Sequence, residues 1–335
     1  MKDKGSERKL RDQRGGFRTG SHELTLARTP RRSRVGDSIF RLSTGASATF
    51  ILLIAAGIVA VLIHGAWPSL EAFGWSFLTS SEWNPVTQRF GAASSVFGTL
   101  VSTAIAMLLA VPLSLMIALF LAELAPPRLA RLFGFGIELL AAIPSIIYGM
   151  WGLFVFAPFM ADHVQPLLGK SSAFLPLFSG PPMGIGMLTA GIILSFMILP
   201  FISAVMRDVF TMVPPVMKEA AFGLGATTWE VTRHVTVRHG MQGLIGATLL
   251  GLGRAIGETM AVTFVIGNDH RISTSLFSAG NSIASTLANE FSEASEPLYL
   301  AALVELGLVL LVISLLIQAG TQLWLVRLRR GWRAG

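Results

Sequence analysis

The chain has 335 residues, 52% of them hydrophobic and only 13% charged. That balance excludes an ordinary soluble domain and points to a polytopic membrane protein, because long stretches carry no charge at all. The absence of cysteine excludes a disulfide framework, a thiol nucleophile and a cysteine metal site, and the net charge of +7 reads as Lys and Arg marking a cytoplasmic face rather than as a nucleic-acid surface.

Residues 1–43 are basic, contain Gly and Ser, and are poor in large apolar side chains. They read as a disordered cytoplasmic tail that touches anionic lipid. Six runs then reach the ~20 residues that a helix needs to cross a bilayer. They are 44–65, 94–122, 133–160, 183–206, 241–267 and 298–325. The fold class expected is therefore an all-α polytopic membrane protein with six transmembrane helices. Residues 44–65 are the first span, 66–93 an outer loop, 94–326 a five-span core, and 327–335 a basic cytoplasmic end.

Lys and Arg set the orientation. They crowd the tail, the second–third loop (Arg128, Arg131), the fourth–fifth loop (Arg207, Lys218, Arg233, Arg238) and the C-terminal end. The opposite side holds only Arg89, Lys170 and Arg271. Both termini are thus expected in the cytoplasm. Trp67, Trp75 and Trp83, past the first span, read as interfacial aromatics. Pro112, Pro144 and Pro200 fall inside spans, where each removes a backbone donor and kinks the helix.

The loop 207–240 is the longest cytoplasmic segment after the tail. Pro214 and Pro215 suit a helix start, and VMKEAAF is a strong helix former. Gly223 and Gly225 can end that helix, and Thr227 or Thr228 can cap a second one. Farther on, Ile283, Leu287 and Phe291 recur at helical spacing, which predicts a short amphipathic helix at the outer mouth.

The chemistry concentrates in GLGRAIGETMAV. Arg254 and Glu258 stand four apart within the fifth span, so a continuous helix puts them on one face as an ion pair. A central membrane arginine costs about 2.5–3.5 kcal/mol on insertion scales, and Glu258 offsets part of that. Gly243, Gly246, Gly251, Gly253 and Gly257 give the same span a face for close helix approach. Glu305 and Glu138 are the other acids in or beside spans, read as packing or helix-end residues, with Glu138 opening the third span. Asn268 and Asp269 follow the fifth span at the outer mouth. No G-x-x-x-x-G-K-[ST] occurs, so no nucleotide is expected on this chain. Neither catalytic nor metal residues are expected.

EAAFGLG (219–225) resembles the EAA loop of binding-protein-dependent ABC importer permeases, with Glu219, Ala220, Ala221 and Gly225 in place. It departs at Arg238, where the family carries proline. IPSIIYGMWGLF (143–154), TTWEV (227–231) and GRAIGETMAV (253–262) are more specific and resemble the phosphate-specific, PstC-type branch. The resemblance runs from about Gly36 to Arg330. It implies a type I ABC importer permease fold and transport of inorganic phosphate by alternating access. It implies a heterodimer with a sister permease, a cytoplasmic ATPase dimer that uses ATP and Mg, and a periplasmic or extracellular phosphate-binding protein. The EAA loop would dock into the ATPase, and Arg254 would offer its fork to the oxyanion, swapping between Glu258 and phosphate. A permease for another oxyanion, such as sulfate or molybdate, or a phosphate sensor with little transport, are the readings left open beside it.

Overall fold

The computed structural model describes residues 31–171 and 176–333. The expected disordered tail, up to residue 30, lies outside the described residues. The chain divides into two compact units, residues 1–57 and 58–335. In the first, the described residues form the beginning of a 43-residue helix, α1 (Arg31–Phe73). This helix starts thirteen residues before the expected span, at 31 rather than 44, and the polar, arginine-bearing segment ahead of the apolar run simply continues the helix.

Besides short helical turns at Ser76–Thr79 and Pro176–Phe178, the second unit holds the other helices. They are α2 (Ala93–Leu124, ending in a π-helical turn), α3 (Pro127–Ala141) and α4 (Ser145–Lys170). There follow α5 (Met187–Thr211), α6 (Pro215–Gly223), α7 (Thr228–Ile256) and α8 (Met260–Ile266). The last two are α9 (Ile283–Glu290) and α10 (Pro297–Arg333). Among the described residues five helices are long and apolar enough to cross a membrane, and α7 with α8, bent by 58° at their break, counts as a sixth when the pair is taken as one span.

One expectation about the spans needs correction. The third span does not run 133–160: α3 ends at Ala141, Pro144 caps a new helix, and the span is α4. The residue before a proline avoids helical geometry, so the Ile143–Pro144 junction separates an amphipathic helix from a spanning one. The Tyr148 hydroxyl donates to the Leu140 carbonyl at 2.9 Å and ties the two pieces together. α5 is the most enclosed of the five unbroken spans.

The core follows from that arrangement. α2 lays Ala106, Ala110 and Ala118 along α5, and small side chains let the two helices approach closely. From α5 come Ile193, Leu194, Met197, Ile198, Ile202, Met206 and Phe210, all essentially inaccessible. Leu244 and Ala247 of α7 and Val262, Val265 and Ile266 of α8 close the other side. A second cluster, Phe77, Phe90, Ile283, Tyr299, Leu303 and Leu306, joins the outer loop to α9 and α10.

Candidate transport path and coupling surface

The break between α7 and α8 decides what Arg254 and Glu258 do. α7 stops at Ile256, and Gly257, the worst helix former in the stretch after proline, is its C-cap residue. The next helix begins at Met260, and the Glu258 carboxylate accepts from the Ala261 amide at 3.1 Å. The expected ion pair is therefore absent: the two residues are not on one continuous helix, and they form no salt bridge among the described residues. Each charge instead meets a helix end of opposite sign. Arg254 lies in the last turn of α7, where the macrodipole is negative, and Glu258 precedes the first turn of α8, where it is positive.

Arg254 is half-buried, with its guanidinium 5.5 Å above the Phe201 ring of α5. Tyr148 of α4 lies within its field. Cation–π contact stabilises such a group by about 0.5–2 kcal/mol and leaves the planar fork of N–H donors in place. Irregular backbone at membrane depth is tolerated where it is covered by protein or lines a polar cavity. A broken span with a cation beside the break is thus a place where an anion can be held between helices. The glycine face is realised in part. A Cβ on Gly251 would run into Ile202, and one on Gly243 would meet Val209 at 2.6 Å, whereas Gly246 faces open space.

Asn268 and Asp269 follow the C-terminal end of α8. Asn268 takes a left-handed backbone (φ 52°) and donates to the Thr263 carbonyl at 3.1 Å. Asp269 lines an open cavity of about 620 Å³ with Ser179, Ser273 and Ser278. It is already engaged: Arg271 Nη2 lies 2.7 Å from its Oδ2, and that hydrogen bond holds the Asp269 carboxyl below the usual range.

Where the loop 66–93 meets α9 and α10 there is a polar cluster that sequence reasoning missed. Glu290, at the end of α9, accepts from Trp83 Nε1 and from the Tyr299 hydroxyl, each at 2.6 Å. His270 Nε2 lies 3.0 Å from its other oxygen. Burial works to raise the Glu290 carboxyl, but the hydrogen bonds from His270, Tyr299 and Trp83 outweigh it and hold the group below its ordinary range. Asn281 Nδ2 reaches His270 Nδ1 at 2.8 Å and Ser95 Oγ of α2 at 2.9 Å. Trp83 stacks on His270 with centroids 5.4 Å apart, so it is a packed residue of the mouth rather than a free interfacial aromatic. Trp67 and Trp75 are exposed. The amphipathic helix expected at 281–291 is α9, with Ile283 buried and a Ser282–Ser285 capping box.

In the loop 207–240 the expected helix–turn–helix forms. Pro214 precedes α6, Gly225 turns at φ 87°, and Thr227 caps α7 through a capping box with Glu230. Glu219, Ala220 and Ala221 lie on α6 and Gly225 follows it. Around them Val216, Phe222, Leu224 and Trp229 are exposed, an apolar surface that a soluble partner would cover. Glu138 does not open a span: it lies in the last turn of α3, with Arg207 Nη2 2.7 Å away. Glu305 is buried, as a packing residue, with Oε2 unpartnered among the described residues.

The family model described as "Binding-protein-dependent transport system inner membrane component" matches residues 110–330. The chain is 53% identical over 304 residues to "Phosphate transport system permease protein PstC" of Mesorhizobium japonicum, covering 90% of this chain and 93% of that one. It is 50% identical to the protein of that name in Haemophilus influenzae, covering 88% and 94%. Among solved structures, the inward-facing MetNI methionine ABC transporter matches with a TM-score of 0.51 at 18% identity, covering 68% of this chain and 91% of that one. That likeness is one of fold, and it agrees with the type I permease architecture.

Proposed function

The chain belongs to the family of binding-protein-dependent transport inner-membrane components, and from that premise we propose that it is the permease subunit of an ATP-driven importer of inorganic phosphate. It is a multi-pass membrane protein, and its family places it in the cytoplasmic membrane. The observation that carries the substrate is Arg254, a cation beside a broken span with no carboxylate partner among the described residues. The identity to phosphate permeases supports the same substrate.

In this reading the guanidinium supplies a bidentate contact to two phosphate oxygens. Phe201 supports its face and leaves its edge to the anion. Glu258 shapes the passage rather than neutralising Arg254, because its carboxylate holds the start of α8. Conduction needs release as well as binding, and a single fork on a half-buried side chain is a weaker trap than a closed cage of donors. Asn268 and Asp269 border the outer approach.

Moving a divalent phosphate inward against ~100 mV costs about 4.6 kcal/mol, so an energy source is required. The sequence has no phosphate-binding loop of its own. ATP and Mg are therefore used by a separate cytoplasmic ATPase dimer, which docks at Glu219, Ala220, Ala221, Gly225 and the apolar side chains around them. A phosphate-binding protein delivers substrate at the outer face, and a sister permease completes a heterodimer. The Lys and Arg bias supports an orientation with both termini in the cytoplasm.

The test is uptake of radiolabelled phosphate by cells lacking this gene, complemented at matched membrane levels with wild type, Arg254→Lys or Arg254→Ala. Wild type should restore uptake, lysine should restore part of it, and alanine should restore little. Equal uptake by all three would remove Arg254 from the path. Failure of wild type, with competition showing sulfate or molybdate carried instead, would overturn the substrate.

A further inference from the structure

None of the nine residues of α6 is buried within this chain. Val216 is 72% exposed and Phe222 48%, so the helix stands away from its own core. One side chain turns inward. Lys218 Nζ lies 2.6 Å from Glu123 Oε1, across 95 residues of sequence. The two side chains are only 21% and 10% exposed. Glu123 sits in the π-helical turn Phe120–Leu124 that ends α2. Turns of that kind are rare, occur often at functional positions, and re-aim the side chains they carry. α2 in turn lies along α5, the centre of the core.

We propose that the Lys218–Glu123 pair is the tie through which movement of α6 reaches the membrane core. Lys218 and Glu123 are positioning residues: they hold α6 at a fixed angle to α2, so that force on one is delivered to the other. The inference rests on the reading of α6 as the ATPase-docking helix. A helix entered through Pro214 and left through the glycine turn at Gly225 has a hinge at each end. Without a side-chain anchor it would pivot under load. The pair suits that task better than Arg207–Glu138, where the glutamate side chain is 55% exposed. A pair this sheltered is poorly screened, and losing one member strands the other charge.

The experiment uses the complete transporter, with its ATPase and binding protein, in liposomes. It reads phosphate imported per ATP hydrolysed, together with ATPase retained on the purified permease. The variants are Lys218→Met, Glu123→Gln, Lys218→Arg and the exchange Lys218→Glu with Glu123→Lys. The single neutral variants should retain ATPase and keep hydrolysing, but import about fivefold less phosphate per ATP or worse, the lower end of a typical coupling energy. Lys218→Arg and the exchange should recover most of the ratio. An unchanged ratio in the neutral variants overturns the tie. So does a loss of ATPase retention that neither Lys218→Arg nor the exchange restores, since the pair is then part of folding or docking. Docking by α6 is judged separately, by whether Phe222→Asp releases the ATPase. If wild type imports no phosphate, the substrate reading fails, and the tie is judged by whether the binding protein still stimulates hydrolysis in the variants.

Discussion

Replacing Glu290 by alanine strips three donors of their acceptor at once: Trp83 Nε1, the Tyr299 hydroxyl and His270 Nε2. Hydrogen bonds to a charged group contribute about 1.5–3 kcal/mol each, and a buried donor left unpaired costs about 1–3 kcal/mol. The Glu290 side chain is 18% exposed, so water will relieve part of that loss. The expected cost is about 3–5 kcal/mol. Glu290→Gln should cost less, because its amide oxygen can still accept from Trp83 and Tyr299. The loss should be local, since these bonds tie the outer loop, α9 and α10 together. Hydrogen exchange across residues 283–290 should speed up sharply in the alanine variant while α5 stays protected, and the apparent Tm in detergent should fall. The same carboxylate predicts a pH response. Its folded pKa lies below the ordinary value, so its contribution is present above about pH 4.5 and is lost as pH falls through the folded value. Protection of α9 should weaken on acidification in wild type and much less in Glu290→Gln. Wild-type exchange rates across α9 in Glu290→Ala would refute the reasoning.

Three further outcomes follow from the packing. Gly251→Ala forces a methyl onto Ile202 and should destabilise by about 1–3 kcal/mol, whereas Gly246→Ala meets nothing and should be neutral or gain up to about 1 kcal/mol of helix propensity; thermal melts of the pair decide this. Leu194→Ala, at the inaccessible centre of α5, should cost about 2–5 kcal/mol by the same assay. Leu224→Asp, on a side chain 90% exposed, should leave the melt unchanged and weaken retention of the ATPase, read by co-purification.

Spans with unbroken apolar runs were legible in the sequence. The runs at 94–122, 183–206 and 298–325 correspond to α2, α5 and most of α10, because hydropathy alone decides what hydrocarbon accepts. The coupling loop was legible for a different reason: Pro214, Gly225 and Thr227 each carry a backbone preference that needs no tertiary partner. The break at Gly257 was not seen, although Gly-Glu-Thr is itself a stop followed by a start signal. An i, i+4 argument presumes that the helix continues, and here that presumption placed Glu258 against Arg254. Glu138 was misplaced likewise, because the run 133–160 hid the punctuation at Pro144. The Glu290 cluster was beyond reach of any local pattern. Trp83 and Glu290 are 207 residues apart and meet only once the outer loop has folded over α9 and α10.

The interruption at residues 257–259 has a mechanical consequence. In an unbroken helix the hydrogen-bond ladder transmits torque from end to end, so any tilt at the cytoplasmic surface would be felt at the outer seal. Here the ladder is severed and the axis changes direction by 58°. α8 is set among the residues of α5 and the outer layer, whereas α7 continues down to the capping box beside the coupling turn. The sixth span is thus an articulated strut rather than a rod. Its two arms are seated on α5 separately, α7 through Leu244 and Ala247 and α8 through Val262, Val265 and Ile266, so a load on one arm need not turn the other.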